Sequence, residues 1–473
     1  MLTRRTLLQA GAATLATGVA QGAPGSRPPN LILICADDLG YGDLGAFGSP
    51  DIRTPRIDGL VREGLKLTCV YAEPFCGPAR AAMMTGCYPI RVAEPGNTKS
   101  RHTVLHRDEV TLAEVLRPAG YSCAMIGKWG LGGHSNNRYN VDLLPNAQGF
   151  DLHFGTPASN DFVADTVLLR DGAIIEKPAA QDSLTRRYAD ETIRFMQRHR
   201  AKPFFVYLCP NMPHVALAAS APFRGRSSRG LYGDTVEEID FNVGRVIDEV
   251  RRLGLEQNTY VVFTSDNGPW IKQREEGGSA GPFRSGKMSL WEGGVRVPGV
   301  VWGPGRVLGG RSSSQMIALQ DFFTTFAVLA GASLPQDRVL DGLDASAFLL
   351  GKSETSPREE FAYYLWTHLQ AVRHGRWKLH LPRPKDPDWL RPLVPSEHID
   401  PEDAGPISEP LLFDISSDYR ERRNVAMDHP DVVEKLLAAA ERVREDLGDH
   451  DRLGRNVRFF DPMTTRPTAP IRA

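Results

Sequence analysis

The chain of 473 residues has little of what would commit it to a membrane, a nucleic acid or a disulfide scaffold. A weakly apolar run near the N-terminus is short and interrupted by glycine. No other run reaches the ~20 apolar residues that a spanning helix needs, so no stable membrane anchor is expected. Neither charge sign dominates: 56 Lys and Arg face 57 Asp and Glu, a net −1. Without a basic face, a nucleic-acid partner is not expected. Cysteines are few, at 35, 69, 76, 87, 123 and 209. With Cys76 set aside for chemistry an odd number remains, which excludes a full disulfide framework. Cys35, Cys123 and Cys209 sit in apolar runs and read as buried thiols.

What is present begins with a targeting segment. Arg4-Arg5 precede a run of Ala, Gly and Leu, with small residues up to Ala23. Residues 1–23 read as a twin-arginine signal peptide, which implies a periplasmic or secreted protein. A chain that folds before export keeps its thiols reduced until then.

Four short apolar runs have the character of strands buried on both faces. Leu31–Ala36 ends in Asp37-Asp38-Leu39-Gly40, and Tyr121–Ile126 in Gly127-Lys128-Trp129. Phe204–Cys209 leads to Pro213-His214, and Thr259–Thr264 to Ser265-Asp266-Asn267-Gly268. Helical patterns alternate with them. Thr111 and Glu114 form a capping box, and Val236 to Leu253 keep helical spacing. Such alternation predicts a doubly wound, mostly parallel α/β sheet, whose ligands bind beyond the carboxyl ends of the strands. The catalytic domain is read as 28–350. Gly351 to Glu360 reads as a linker, 360–473 as a smaller α+β subdomain with antiparallel strands and one closing helix, and 382–410 as a surface loop.

The strand ends bring chemistry to one edge. Asp37, Asp38, Asp266 and Asn267 are hard oxygen donors, which suit Ca²⁺ or Mg²⁺ rather than zinc. Cys76 precedes Pro78 and a run of helix formers, and so sits at a helix N-terminus that favours an anion. Arg80, one turn on, adds a guanidinium fork.

Cys76-Gly77-Pro78-Ala79-Arg80 resembles the signature of type I, formylglycine-dependent sulfatases. Asp37-Asp38-x-Gly, Gly127-Lys128-Trp129, Pro213-His214, Ser265–Gly268, Gly286-Lys287 and Glu292–Pro298 follow in that family's order. Gly149–Asp161 is similar to the matching stretch of arylsulfatase A and N-acetylgalactosamine-6-sulfatase, and Leu412–Ala426 to a C-terminal family element. The resemblance implies an alkaline-phosphatase-like fold and hydrolysis of a sulfated carbohydrate or aryl sulfate. It further implies that a formylglycine-generating enzyme converts Cys76 to Cα-formylglycine (3-oxoalanine). Hydrated, that residue would bind Ca²⁺ (or Mg²⁺) beside Asp37, Asp38, Asp266 and Asn267, and attack sulfur. Arg80 would support it, Lys128, Lys287 and His214 would hold sulfate oxygens, and His214 or Lys287 would protonate the leaving oxygen. Ser159 matches a substrate-contacting serine.

One position departs from the pattern. Many relatives carry a histidine two residues after the lysine, as the base that regenerates the aldehyde by elimination; this chain has Gly130. Either another group takes that role, with His134 on the same loop the nearest candidate, or the step is slower. Two rival readings follow: a phosphonate or phosphodiester hydrolase of the same superfamily, or a non-catalytic sulfoglycan-binding relative.

Overall fold

The computed structural model describes residues 27–92, 105–106, 108–133, 139–161, 163–383, 403 and 405–458. The signal-peptide reading of 1–23, His134 and most of 382–410 lie outside the described residues.

Among the described residues, eleven strands form one sheet: β1 (Asn30–Ala36), β2 (Leu65–Tyr71), β3 (Ser122–Gly127), β4 (Leu152–Gly155), β5 (Leu168–Arg170), β6 (Ala173–Glu176), β7 (Phe204–Cys209), β8 (Thr259–Ser265), β9 (Arg296–Trp302), β10 (Arg311–Ser313) and β11 (Ile317–Ala318). Their order is β10-β2-β9-β8-β1-β7-β3-β4-β5-β6, with β11 beside β2. The block β8-β1-β7-β3-β4 is parallel throughout. β1, β7 and β8 are buried along their whole length, which is why they read as unbroken apolar runs.

The alternation of side chains along β1 feeds two cores. Leu31, Leu33 and Cys35 join one with the helices Cys76–Thr85 and Asp321–Ala330. Ile32, Ile34 and Ala36 join another with the amphipathic helices Gln181–His199 and Gly230–Arg252. Helices thus cover both faces, as the doubly wound reading requires. The capping box at Thr111 is present: Glu114 N donates to Thr111 Oγ1 at 3.3 Å, and Thr111 N to Glu114 Oε2 at 2.8 Å. Five cysteines, 35, 69, 87, 123 and 209, are buried free thiols.

β9 runs antiparallel to both of its neighbours, β2 and β8. Its N-terminal end therefore lies at the edge where the parallel strands finish. That reversal lets a segment preceding a strand reach the same place as segments that follow strands.

A second sheet, β12 (Glu360–Leu365), β13 (His368–His374), β14 (Trp377–His380) and β15 (Leu411–Asp414), is an antiparallel meander followed by the helix Pro430–Leu447. It packs directly on the first domain: Phe361 stacks on Tyr71, and Trp366 lies over Phe75 at 4.4 Å between centroids. The segment read as a polar linker is instead pinned. Arg358 is buried and reaches both oxygens of Asp321, at 2.6 and 2.7 Å. Composition alone hid this, because a buried bidentate ion pair leaves the same residues in the sequence as a solvated hinge.

Candidate active site

Cys76 opens the helix Cys76–Thr85, two residues earlier than its Pro78 suggested, and Phe75 is the N-cap. β2 delivers it to the edge where β1, β3, β7 and β8 also end. Cys76 Sγ lies 3.2 Å from Asp37 Oδ1 and 3.8 Å from Asp38 Oδ1. Each aspartate has its own lysine: Lys128 Nζ is 2.6 Å from Asp37 Oδ2, and Lys287 Nζ 2.7 Å from Asp38 Oδ2. Asn267 Nδ2 donates to Asp38 Oδ1 at 2.8 Å. Arg80, fully buried, donates to Asp266 Oδ2 at 2.8 Å and to the Lys128 carbonyl at 2.7 Å. One oxygen each of Asp37 and Asp38, the sulfur of Cys76 and a nitrogen of His214 lie within 4.8 Å of one another.

The local backbone is built for this convergence. Asp38 has φ of 62°, a left-handed conformation that is costly for a non-glycine residue and typical of functional turns. β8 supports it: Asp38 N donates to Asp266 Oδ1 and Leu39 N to Ser265 Oγ. Gly127 must be glycine, since a Cβ there would stand 1.9 Å from the Cys209 carbonyl oxygen at the end of β7. That close approach brings Lys128 beside the strand that leads to His214.

Electrostatics follow from burial and pairing. Burial pushes the Asp37 carboxyl up, but Lys128, His214, Arg80 and Lys287 outweigh it and hold it well below the usual range. Burial opposes the charge on Lys128 and Lys287, yet the aspartates beside them hold both ammonium groups above their ordinary values. Burial, then Asp37, pushes Asp266 up to about 7. Desolvation, then Asp37, pushes the Cys76 thiol well above its ordinary value, so it is not a thiolate.

Two buried polar atoms here have no hydrogen-bond partner among the described residues: the acceptor Asn267 Oδ1 and the donor Arg80 Nε. An unmatched acceptor beside three carboxylates fits a hard divalent cation, and an unmatched guanidinium N–H fits an oxyanion.

Residues 29–332 match the family model described as Sulfatase, and residues 356–468 the one described as the C-terminal region of aryl-sulfatase. The chain belongs to the sulfatase family. It is 35% identical to the steryl-sulfatase of Mus musculus, over 92% of this chain and 86% of that protein. It is 38% identical to the N-acetylgalactosamine-6-sulfatase of Canis lupus familiaris, over 76% of this chain and 73% of that one. A solved structure from work on glycosaminoglycan metabolism by Bacteroides thetaiotaomicron superposes with a TM-score of 0.76 at 28% identity, covering 89% of this chain and all of that one.

In this sulfatase, then, Asp37, Asp38, Cys76, Arg80, Lys128, His214, Asp266, Asn267 and Lys287 meet at one sheet edge. Ser159 donates its hydroxyl to Asp161 Oδ2. Asp161 was not singled out from sequence, yet its Oδ1 lies 3.5 Å from His214 Nε2, as near as Asp38 Oδ2 at 3.6 Å. Trp270 was also missed, though it directly follows the Asp266–Pro269 turn; its ring lies 5.0 Å from Lys287 Nζ. Trp129 and Trp291, which flank the motifs, are packing residues. Trp129 is fully buried, and Trp291 stacks on His380 at 4.2 Å. His374 lines a different cleft, with Tyr88, Asp341 and Arg358.

Proposed function

We propose that this sulfatase hydrolyses sulfate esters of carbohydrates or aryl alcohols, with residue 76 as formylglycine and a bound Ca²⁺ or Mg²⁺. The observation that carries the reading is the position of Cys76 Sγ, between two aspartates and under two lysines, in a thiol form that is itself a poor nucleophile. As a hydrated aldehyde the residue supplies a hydroxyl for attack on sulfur. A divalent cation supplies charge to lower the pKa of that hydroxyl.

Asp37, Asp38, Asp266 and Asn267 are the residues to hold the cation, all oxygen donors and all buried. Lys128 and Lys287 bind and orient the sulfate oxygens, and the Arg80 guanidinium holds Asp266 in place. His214 Nε2, 3.5 Å from Asp161 Oδ1 and 3.6 Å from Asp38 Oδ2, is positioned to protonate the leaving oxygen. Three fixed carboxylates (Asp37, Asp38, Asp266) face three fixed cations (Arg80, Lys128, Lys287). A divalent cation that enters with a singly charged sulfate ester therefore adds one net positive charge to the buried set. The relatives named for steryl and N-acetylgalactosamine-6-sulfate substrates support the sulfate-ester class. Arg4-Arg5 supports export to the periplasm or beyond, after maturation by a formylglycine-generating enzyme.

The test combines peptide mass spectrometry of residue 76 with hydrolysis of a panel of aryl and sugar sulfates. Loss of sulfur with gain of an aldehyde, together with turnover, is the expected result. A chain that carries formylglycine and hydrolyses no sulfate ester overturns the reading.

A further inference from the structure

We propose that His368, Asp449 and His450 form a second cation site, separate from the sulfatase centre and suited to a zinc-class divalent ion. His368 opens β13, while Asp449 and His450 follow the helix Pro430–Leu447, so the site joins two segments about eighty residues apart. One ligand atom from each lies within 4.8 Å of the others. His450 Nδ1 is 3.0 Å from Asp449 Oδ1, and the two imidazole rings meet edge-on with centroids 4.6 Å apart. His368 and Asp449 are buried, whereas the His450 side chain keeps 33% of its surface in solvent and gives an ion a way in.

The charge around the cluster selects the ion. Arg444 Nε donates to Asp449 Oδ2 at 2.7 Å, while Leu369 N and His450 N donate to Oδ1 at 3.1 and 2.7 Å, so both oxygens are fixed with Oδ1 beside the His450 ring, as outer partners fix metal ligands. Arg383 also faces the cluster, with its guanidinium engaged on Gln370 Oε1 at 2.7 Å. A single carboxylate already paired with Arg444 attracts Ca²⁺ or Mg²⁺ weakly. Two imidazoles with one carboxylate are instead a donor set for zinc. The chain thus carries two sites of opposed preference, one all oxygen and one mostly nitrogen. They are also linked: the hairpin that presents His368 carries Trp366, which packs on Phe75, the residue before Cys76. An ion that ties this hairpin to the end of the helix braces the wall behind the nucleophile.

The test is zinc content, by mass spectrometry of the metal, in full-length protein dialysed against zinc with Ca²⁺ in excess. Wild type is compared with His450→Ala and His368→Gln. The expected result is about one more zinc per chain in the wild type than in either variant, with a rise in thermal midpoint that only the wild type shows. Should His368→Gln fail to fold, the part-exposed His450→Ala decides alone. Equal zinc in wild type and His450→Ala, or none in the wild type, overturns the proposal.

Discussion

Lys128 Nζ sits 2.6 Å from Asp37 Oδ2, with both side chains buried, so a lysine occupies the approach to a carboxylate proposed to hold a metal. Lys128→Met removes that competitor and one anchor for the sulfate oxygens together. We expect kcat to fall by about 10²- to 10³-fold, the range for losing one preorganised electrostatic contact. Ca²⁺ affinity, read by calorimetry, should hold or tighten. Weaker Ca²⁺ binding in this variant contradicts the assignment.

Asn267 Oδ1 is the acceptor left unmatched at the centre. Chelation should abolish turnover, and restoring Ca²⁺ at a hundredfold over its Kd should add about 2.7 kcal/mol of stability. Asn267→Ala should need a higher Ca²⁺ concentration for the same rise in Tm. An unchanged Ca²⁺ dependence would remove Asn267 from the site.

Gly130 stands where the family resemblance implies a histidine, and its backbone there is strained for any side chain. Its φ is 74°, and a Cβ would lie 3.2 Å from Arg80 Cδ. Gly130→Ala should destabilise by about 1–2 kcal/mol through the left-handed backbone. Gly130→His should lower turnover, because Arg80 must shift. Denaturant melts and steady-state rates check both, and a faster Gly130→His enzyme would refute the account.

Glu73, three residues before Cys76, is buried, and its Oε1 finds no partner among the described residues. Burial, then Asp341, pushes its carboxyl from 4.5 up to about 8. Between those values the folded chain binds the proton that the unfolded chain releases, so stability falls as pH rises across this window. Glu73→Gln should therefore raise Tm relative to wild type at pH 8 and have little effect at pH 5. Parallel melting curves at both pH values would show that Glu73 does not titrate there.

Much of this was legible because buried parallel strands advertise themselves. Leu31–Ala36, Phe204–Cys209 and Thr259–Thr264 are apolar on both faces, and each ends in a polar turn. β2 escaped notice because Lys66 and Thr68 interrupt its apolar residues on a partly exposed face. β9 was hidden by Pro298 and Gly299 within its span, and its reversed direction leaves no mark in composition. Asp161 needed the third dimension: nothing in a Ser-Asn-Asp stretch says that a histidine more than fifty residues later will stand beside it.

Lys287 N donates to the Pro269 carbonyl at 2.8 Å, which ties the two ends of the excursion between them into a neck. Below the neck sit Asp266, Asn267 and Lys287; above it the excursion carries the more exposed stretch Ile271–Glu276. Chain can be inserted or exchanged in the more exposed Ile271–Glu276 stretch at small entropic cost, whereas Ser279 on Asp43 and the buried Ala280 and Phe283 hold the rest of the excursion to the core. The fold thereby separates two kinds of change: the reacting centre stays as it is, while the outer stretch of the excursion can vary.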